Sequence, residues 1–164
     1  MPPKILISAG EASGDRYAAA LAARLQRLRP DLSLFGCTGP EMRKVQVRTV
    51  VDSASLAVVG LVEVVSHIPR IYSEYRKLLQ AAERERPDVA ILTDSPDFHL
   101  RVAGRLKQMG IPVVYLVAPQ VWAWREGRVK TIRRVVDHLL CIFPFEEEYF
   151  RRHGVRASYI GHPL

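Results

Sequence analysis

The amino-acid sequence predicts an α/β fold: a Rossmann-like parallel sheet with helices on both faces. Three observations lead there. Short apolar runs alternate along the chain with segments whose apolar residues recur at helical spacing. The central run after Asp88 is apolar as far as Thr93, as expected of a strand buried on both faces. Regular alternation of the two kinds of segment favours a parallel sheet with crossover helices.

The elements follow in order. "KILISAG" reads as a buried strand ending at Gly10. "GDRYAAALAARLQRL" reads as a helix, with Tyr17, Leu21, Leu25 and Leu28 on one face and Pro30 stopping it. "DLSLFGC" is the next strand, "GPEMRKV" a loop or one helical turn, and "VRTVVD" a further short strand. Residues 56 to 86 are first apolar, then basic and helical, with Pro69 expected to start or kink a helix. "PDVAILTD" is a strand, "FHLRVAGRLKQMG" a helix closed by Gly110, and "IPVVYLVAP" another strand. "REGRVKTIRRVVD" is helical and "HLLCIF" a strand. "PFEEEYFRRHG" has Pro144 and acids at its start and basic residues at its end, which suits a helix dipole. "ASYIG" is the last strand, and no internal repeat or low-complexity segment interrupts the series.

At 164 residues the chain is one domain, with 48% hydrophobic and 25% charged residues. A formal net charge of +7 favours an anionic partner: nucleic acid, a phosphate-bearing substrate or an acidic membrane surface. Cys37 and Cys141 show no metal-ligand spacing and are expected to be buried, reduced thiols. No apolar run approaches a membrane span, and "MPPKILISAG" lacks a signal-peptide pattern, so a cytoplasmic chain is expected.

In open parallel sheets, ligands bind beyond the carboxyl ends of the strands, so chemistry is expected there. In "SAGEASGD", Gly10 and Gly14 flank a strand-to-helix turn, with Ser13 and Asp15 near the helix start. Glycines let backbone N–H groups approach a ligand, and a helix N-terminus favours an anion. Glu11 would repel a phosphate and suits a sugar hydroxyl; the alternative for the segment is a tight turn with a Ser or Asp cap. In "TDSPDF", Asp97 reads as a helix cap. Asp94 ends an apolar strand, where burial would raise its pKa and suit a general base. Two carboxylates at this spacing do not make a metal site without further oxygen ligands, and no metal or cofactor is expected.

In "VAPQVWAWREGR", Gln120 leaves a strand, and Trp122 and Trp124 follow. The two rings either pack under the loop or wall a sugar pocket, with Arg125 and Arg128 facing an anion. Glu146 follows a Pro-Phe turn, and His162 lies between Gly161 and Pro163, where a lone histidine is more often structural than catalytic. Val62, Val65, Ile68, Ile71 and Tyr72 outline one apolar face beside Arg70, Arg76 and Lys77. That face either docks on a membrane surface or acyl chains, or belongs to an ordinary helix packed on the sheet. No Ser-His-Asp arrangement, P-loop or zinc motif is present.

Together, "AGEASGD", "GPEM", "LAVVGLVEV", "DSPDF", "VAPQVWAWREGR", "PFE" and "GHPL" resemble the lipid-A-disaccharide synthase family of glycosyltransferases, in order and spacing from Ile5 to Leu164. "RKVQVR" departs from the family pattern by lacking a glycine near Val45, and Thr93 stands where an apolar residue is more usual. The resemblance implies one lobe of a two-lobed GT-B architecture. Residues 1–164 would form the N-terminal, acceptor-side lobe, and a second lobe, absent here, would hold most of the UDP-sugar. It implies transfer of 2,3-diacylglucosamine from its UDP derivative to 2,3-diacylglucosamine 1-phosphate, without an obligatory metal. Asp94 would be the base. Gly10, Glu11, Ser13, Gly14, Gln120, Trp122, Trp124 and Glu146 would bind substrate. Arg125 or Arg128 would meet a phosphate, and residues 62 to 72 would meet acyl chains or an anionic membrane. The expected location is cytoplasmic, peripheral on the inner membrane. The expected partners are the two acylated sugars and the missing lobe, or self-association, and not nucleic acid. The rival reading is a lobe that binds acylated sugar phosphate or membrane and transfers nothing.

Overall fold

The computed structural model describes residues 2–57, 61–120 and 126–162, with only the backbone described at 61–65 and 126. Seven strands, β1 (Lys4–Ala9), β2 (Ser33–Thr38), β3 (Arg48–Asp52), β4 (Val89–Thr93), β5 (Val113–Leu116), β6 (His138–Cys141) and β7 (Ala157–Tyr159), form one sheet. Its order is β3-β2-β1-β4-β5-β6-β7, and every neighbouring pair is parallel. Each apolar run expected to be a strand is one.

The helices are α1 (Ala12–Leu28), α2 (Pro40–Lys44), α3 (Leu61–Glu85), α4 (Pro96–Gln108), α5 (Glu126–Val135) and α6 (Pro144–Arg152). Strand alternation divides the core. Ile5, Ile7, Ile91 and Leu116 pack with Ala18, Ala22 and Met42 of α1 and α2. Leu6, Phe35, Leu92 and Leu139 pack with Leu78, Val102, Ile132 and Phe150 of α3 to α6. Successive residues of one strand thus serve opposite helical layers. Burying one such side chain contributes roughly 1.5–3 kcal/mol, so two filled faces hold the sheet between the layers.

Of the two alternatives for Pro69, a helix start is excluded, because it lies inside α3. One local expectation is corrected. The residue preceding α4 is Ser95, and Asp97 occupies the first turn without capping it. "GPEMRKV" resolves as the five-residue helix α2.

The chain direction across the sheet reverses between β1 and β4. β2 and β3 lie on one side of β1, and β4 to β7 follow on the other. The carboxyl ends of β1 and β4 are therefore separated by loops that turn in opposite directions, which opens a crevice.

Candidate active site

Register brings the site residues together. Ala9 pairs with Thr93, and Thr93 with Leu116. The next residues, Gly10, Asp94 and Val117, therefore leave three adjacent strands side by side. Asp94 has φ +56°, Ser95 +38° and Val117 +68°. Left-handed backbone at non-glycine residues costs about 1–3 kcal/mol each and persists only where neighbours hold it. Val117 is β-branched, which makes its conformation the more constrained.

The holding contacts are specific. The Asp94 carboxylate accepts Gly10 N–H at 2.7 Å and Glu11 N–H at 3.0 Å. Its main-chain oxygen accepts the Tyr115 hydroxyl at 2.5 Å and His99 Nδ1–H at 2.8 Å. A carbonyl only accepts, so Nδ1 carries the proton. Nε2 of the neutral ring then accepts the Ser8 hydroxyl at 2.7 Å. Burial of His99 lowers its pKa to about 4, which keeps the ring neutral.

The glycines expected to admit a ligand also make room for the β4 loop. A Cβ on Gly14 would lie 1.7 Å from Asp94 Oδ2, and one on Gly10 would lie 2.4 Å from Ser95 Oγ. Asp15 makes a parallel joint. Its buried carboxylate accepts Gly39, Glu41 and Met42 N–H at 3.1, 2.8 and 3.0 Å, capping α2 rather than its own helix. A Cβ on Gly39 would lie 2.4 Å from Asp15 Cγ.

Asp94 opens onto a cleft of about 570 Å³. Burial pushes its pKa up to about 7, against the downward pull of the Gly10 and Glu11 N–H groups, and the Glu11 charge adds to the rise. A carboxyl poised there exchanges a proton with a hydroxyl near neutral pH. Cys37, behind the site, is pushed up to about 12 by burial first and the Asp94 charge second, so it stays a thiol. Cys37 and Cys141 are both free and buried.

Of the residues singled out by sequence, Glu11, Ser13, Gly14, Asp94, Gln120 and Arg128 line the cleft. Gly10 stands behind Asp94 as a donor. Arg128 is held by Asp97 at 2.5 Å. Glu146 is corrected: it is buried, accepts Phe143 N–H at 3.2 Å as the cap of α6, and does not line the cleft. Trp122, Trp124 and Arg125 lie outside the described residues, as do the side chains of Val62 and Val65. Ile68 and Tyr72 are 54% and 58% exposed, while Ile71 is half-buried. His162 touches Tyr17, a cleft residue, with ring centroids 5.9 Å apart. Among the described residues no helix is long and apolar enough to cross a membrane.

Sequence reasoning did not single out His99 or Tyr115, which sit within apolar-looking elements. Each is a polar side chain on a buried face, and a buried phenol or imidazole needs a partner. That was the available signal.

This sheet order, with its crevice at the reversal, is the fold of one lobe of GT-B glycosyltransferases. MurG of Acinetobacter baumannii superposes with a TM-score of 0.59 at 14% identity, over 87% of this chain and 42% of that one. UDP-N-acetylglucosamine 2-epimerase from Rickettsia bellii shares the fold with a TM-score of 0.66 at 15% identity, over 99% of this chain and 46% of that one.

The chain belongs to the lipid-A-disaccharide synthetase family, whose model matches residues 5–164. It is 69% identical over 162 residues to lipid-A-disaccharide synthase of Solibacter usitatus (strain Ellin6076), covering 99% of this chain and 42% of that protein. It is 56% identical to that of Koribacter versatilis (strain Ellin345), covering 98% and 42%. The chain thus spans about two fifths of the length of these relatives.

Proposed function

We propose that this chain is the acceptor-side, N-terminal lobe of a lipid-A-disaccharide synthase. The reaction is transfer of 2,3-diacylglucosamine from UDP-2,3-diacylglucosamine to 2,3-diacylglucosamine 1-phosphate. Asp94 removes the proton of the acceptor 6-hydroxyl as its oxygen attacks the anomeric carbon. The bond to UDP breaks in the same displacement, so the linkage formed is inverted and UDP leaves with the bonding electrons. The observation that carries this reading is Asp94 itself: a carboxyl at the sheet's reversal point, facing a cleft, with a pKa raised to about 7.

The remaining three fifths of the relatives' length would supply most of the UDP-sugar site. The lobe alone would then bind acceptor and transfer nothing, a second reading favoured by the 42% span. Glu11 and Ser13 suit sugar hydroxyls, Arg128 suits a phosphate, and the Trp122–Trp124 segment would wall the cleft. Exposed Ile68 and Tyr72, beside Arg76 and Lys77, favour contact with acyl chains or an anionic membrane from the cytoplasmic side.

Glycosyl transfer by the chain alone, with both acylated sugars in detergent and Asp94→Asn as control, tests the reading. UDP release dependent on Asp94 means one lobe builds a working site. Acceptor binding without release means a second lobe is required. Absence of both refutes the proposal. Ile68→Ser with Ile71→Ser is expected to weaken binding to anionic vesicles; unchanged partitioning refutes the membrane face.

A further inference from the structure

A second groove of about 620 Å³ runs between α4 and α5 and shares Pro96, Asp97 and Arg128 with the cleft. These two helices carry seven lysines and arginines against two acids, Asp97 and Glu126. Arg101, Arg128 and Arg134 all line the groove, and Asp97 is the one carboxylate among its described lining residues. That carboxylate is paired with Arg128, whose side chain is only 16% exposed. Arg101 and Arg134 are exposed and make no hydrogen bond or ion pair with the described residues.

The floor is open where two residues lack side chains. A Cβ at Gly127 would meet nothing within 4 Å, and one at Gly104 would meet only Val135 Cγ1, at 3.8 Å. Among the described lining residues three arginines stand against one carboxylate, an excess of two positive charges. A phosphate monoester carries about −1.5 to −2 at neutral pH, and guanidinium forks fit its oxygens in pairs. The Asp97 contact holds the Arg128 fork at the point where groove and cleft join, so a ligand can enter both.

We infer that the α4–α5 groove is a phosphate site, in which Arg101 and Arg134 act with Arg128 to hold the phosphate monoester of a sugar whose ring occupies the cleft. This rests on the acceptor reading given above and adds the place and the residues. Arg101 and Arg134 are binding residues for the phosphate and take no part in proton transfer. Glu11 and Asp94, which line the cleft as well, disfavour a phosphate beside them and favour its placement in the groove.

The test uses a short-chain 2,3-diacylglucosamine 1-phosphate, its dephosphorylated analogue, inorganic phosphate and phosphatidylglycerol vesicles as probes. Arginine Nε–Hε and backbone amide resonances of the chain are followed by NMR. The sugar phosphate is expected to shift Arg101, Arg134 and Gly127 together with Gly14 and Gln120. The double variant R101Q/R134Q is expected to lose about tenfold in affinity for it while binding the dephosphorylated sugar as before. Circular dichroism and amide dispersion confirm that the variant folds.

Shifts confined to the cleft overturn the phosphate groove and leave the acceptor reading standing. No shift at either place overturns both. If inorganic phosphate binds the arginines as tightly as the sugar phosphate does, the groove is a general anion site and the inference fails. It fails equally if R101Q/R134Q weakens vesicle binding but leaves sugar phosphate affinity intact.

Discussion

The hydroxyl of Tyr115 donates to the main-chain oxygen of Asp94 at 2.5 Å. Burial holds the phenol well above its usual pKa, so it retains the proton it donates. A residue of β5 thereby holds the left-handed turn that ends β4. Tyr115→Phe keeps the ring and removes the donor. It is expected to lower unfolding free energy by about 0.5–1.5 kcal/mol in urea titrations, the net range for one hydrogen bond, since His99 still donates to the same oxygen. A change under a few tenths would show that the turn holds itself.

Asp94 and His99 make opposite contributions to the pH dependence of stability. The folded-state pKa of Asp94 is raised to about 7, against ~3.9 for an unfolded aspartate. The folded protein therefore binds more protons between these values, and the Asp94 contribution falls as pH rises from about 4 to about 7. His99 is lowered to about 4, against ~6.5 unfolded. Its contribution is present above about 6.5 and is lost as pH falls through about 4. Subtracting the stability of Asp94→Asn from that of the parent should give a difference that declines with pH in this window. For His99→Asn the difference should rise. Two differences of the same sign would contradict the assigned environments.

Gly14→Ala would set a methyl 1.7 Å from Asp94 Oδ2. Either Asp94 leaves its N–H donors or α1 shifts. A loss of roughly 3 kcal/mol is expected, at the upper end for overpacking. Gly104→Ala in mid-helix meets only ordinary contact at 3.8 Å and is expected to stabilise by up to about 1 kcal/mol through helix propensity. Thermal melts of the pair distinguish close approach from a general intolerance of glycine replacement.

Asp15→Ala orphans three N–H groups at the start of α2. A loss of about 2–3 kcal/mol is expected, with hydrogen exchange fastest at Glu41 and Met42. Protection retained at those amides would mean that α2 holds without its cap.

Much of the fold was legible because periodicity is a local signal. "VAILT" reads as a buried strand wherever it falls, and "RYAAALAARL" shows its helical face without reference to neighbours. Asp94 stood out because a carboxylate ended an otherwise apolar run. The joints were not legible. Nothing near Gly14 announces that its missing side chain makes room for a residue eighty positions on, and nothing near Asp15 names α2 as the helix it caps. Such contacts are set by sheet order, and order is not written in any single segment. Glu146 misled for the same reason: an acid after a Pro-Phe turn looks like a ligand-facing group until the α6 N-terminus is seen to take it.

The Gly10–Asp94 hydrogen bond joins residues 84 positions apart, which bears on how the site assembles during folding. Closing so long a loop is entropically slow to be rewarded, and β1 and β4 must already be side by side before Asp94 finds its donors. A nascent chain that has completed β1 to β3 possesses the glycine turn but not the carboxyl that fills it. No subset of local segments can therefore hold a partial cleft. Ligand affinity and global folding rise together, and a bound ligand would slow opening of the whole sheet rather than of one loop.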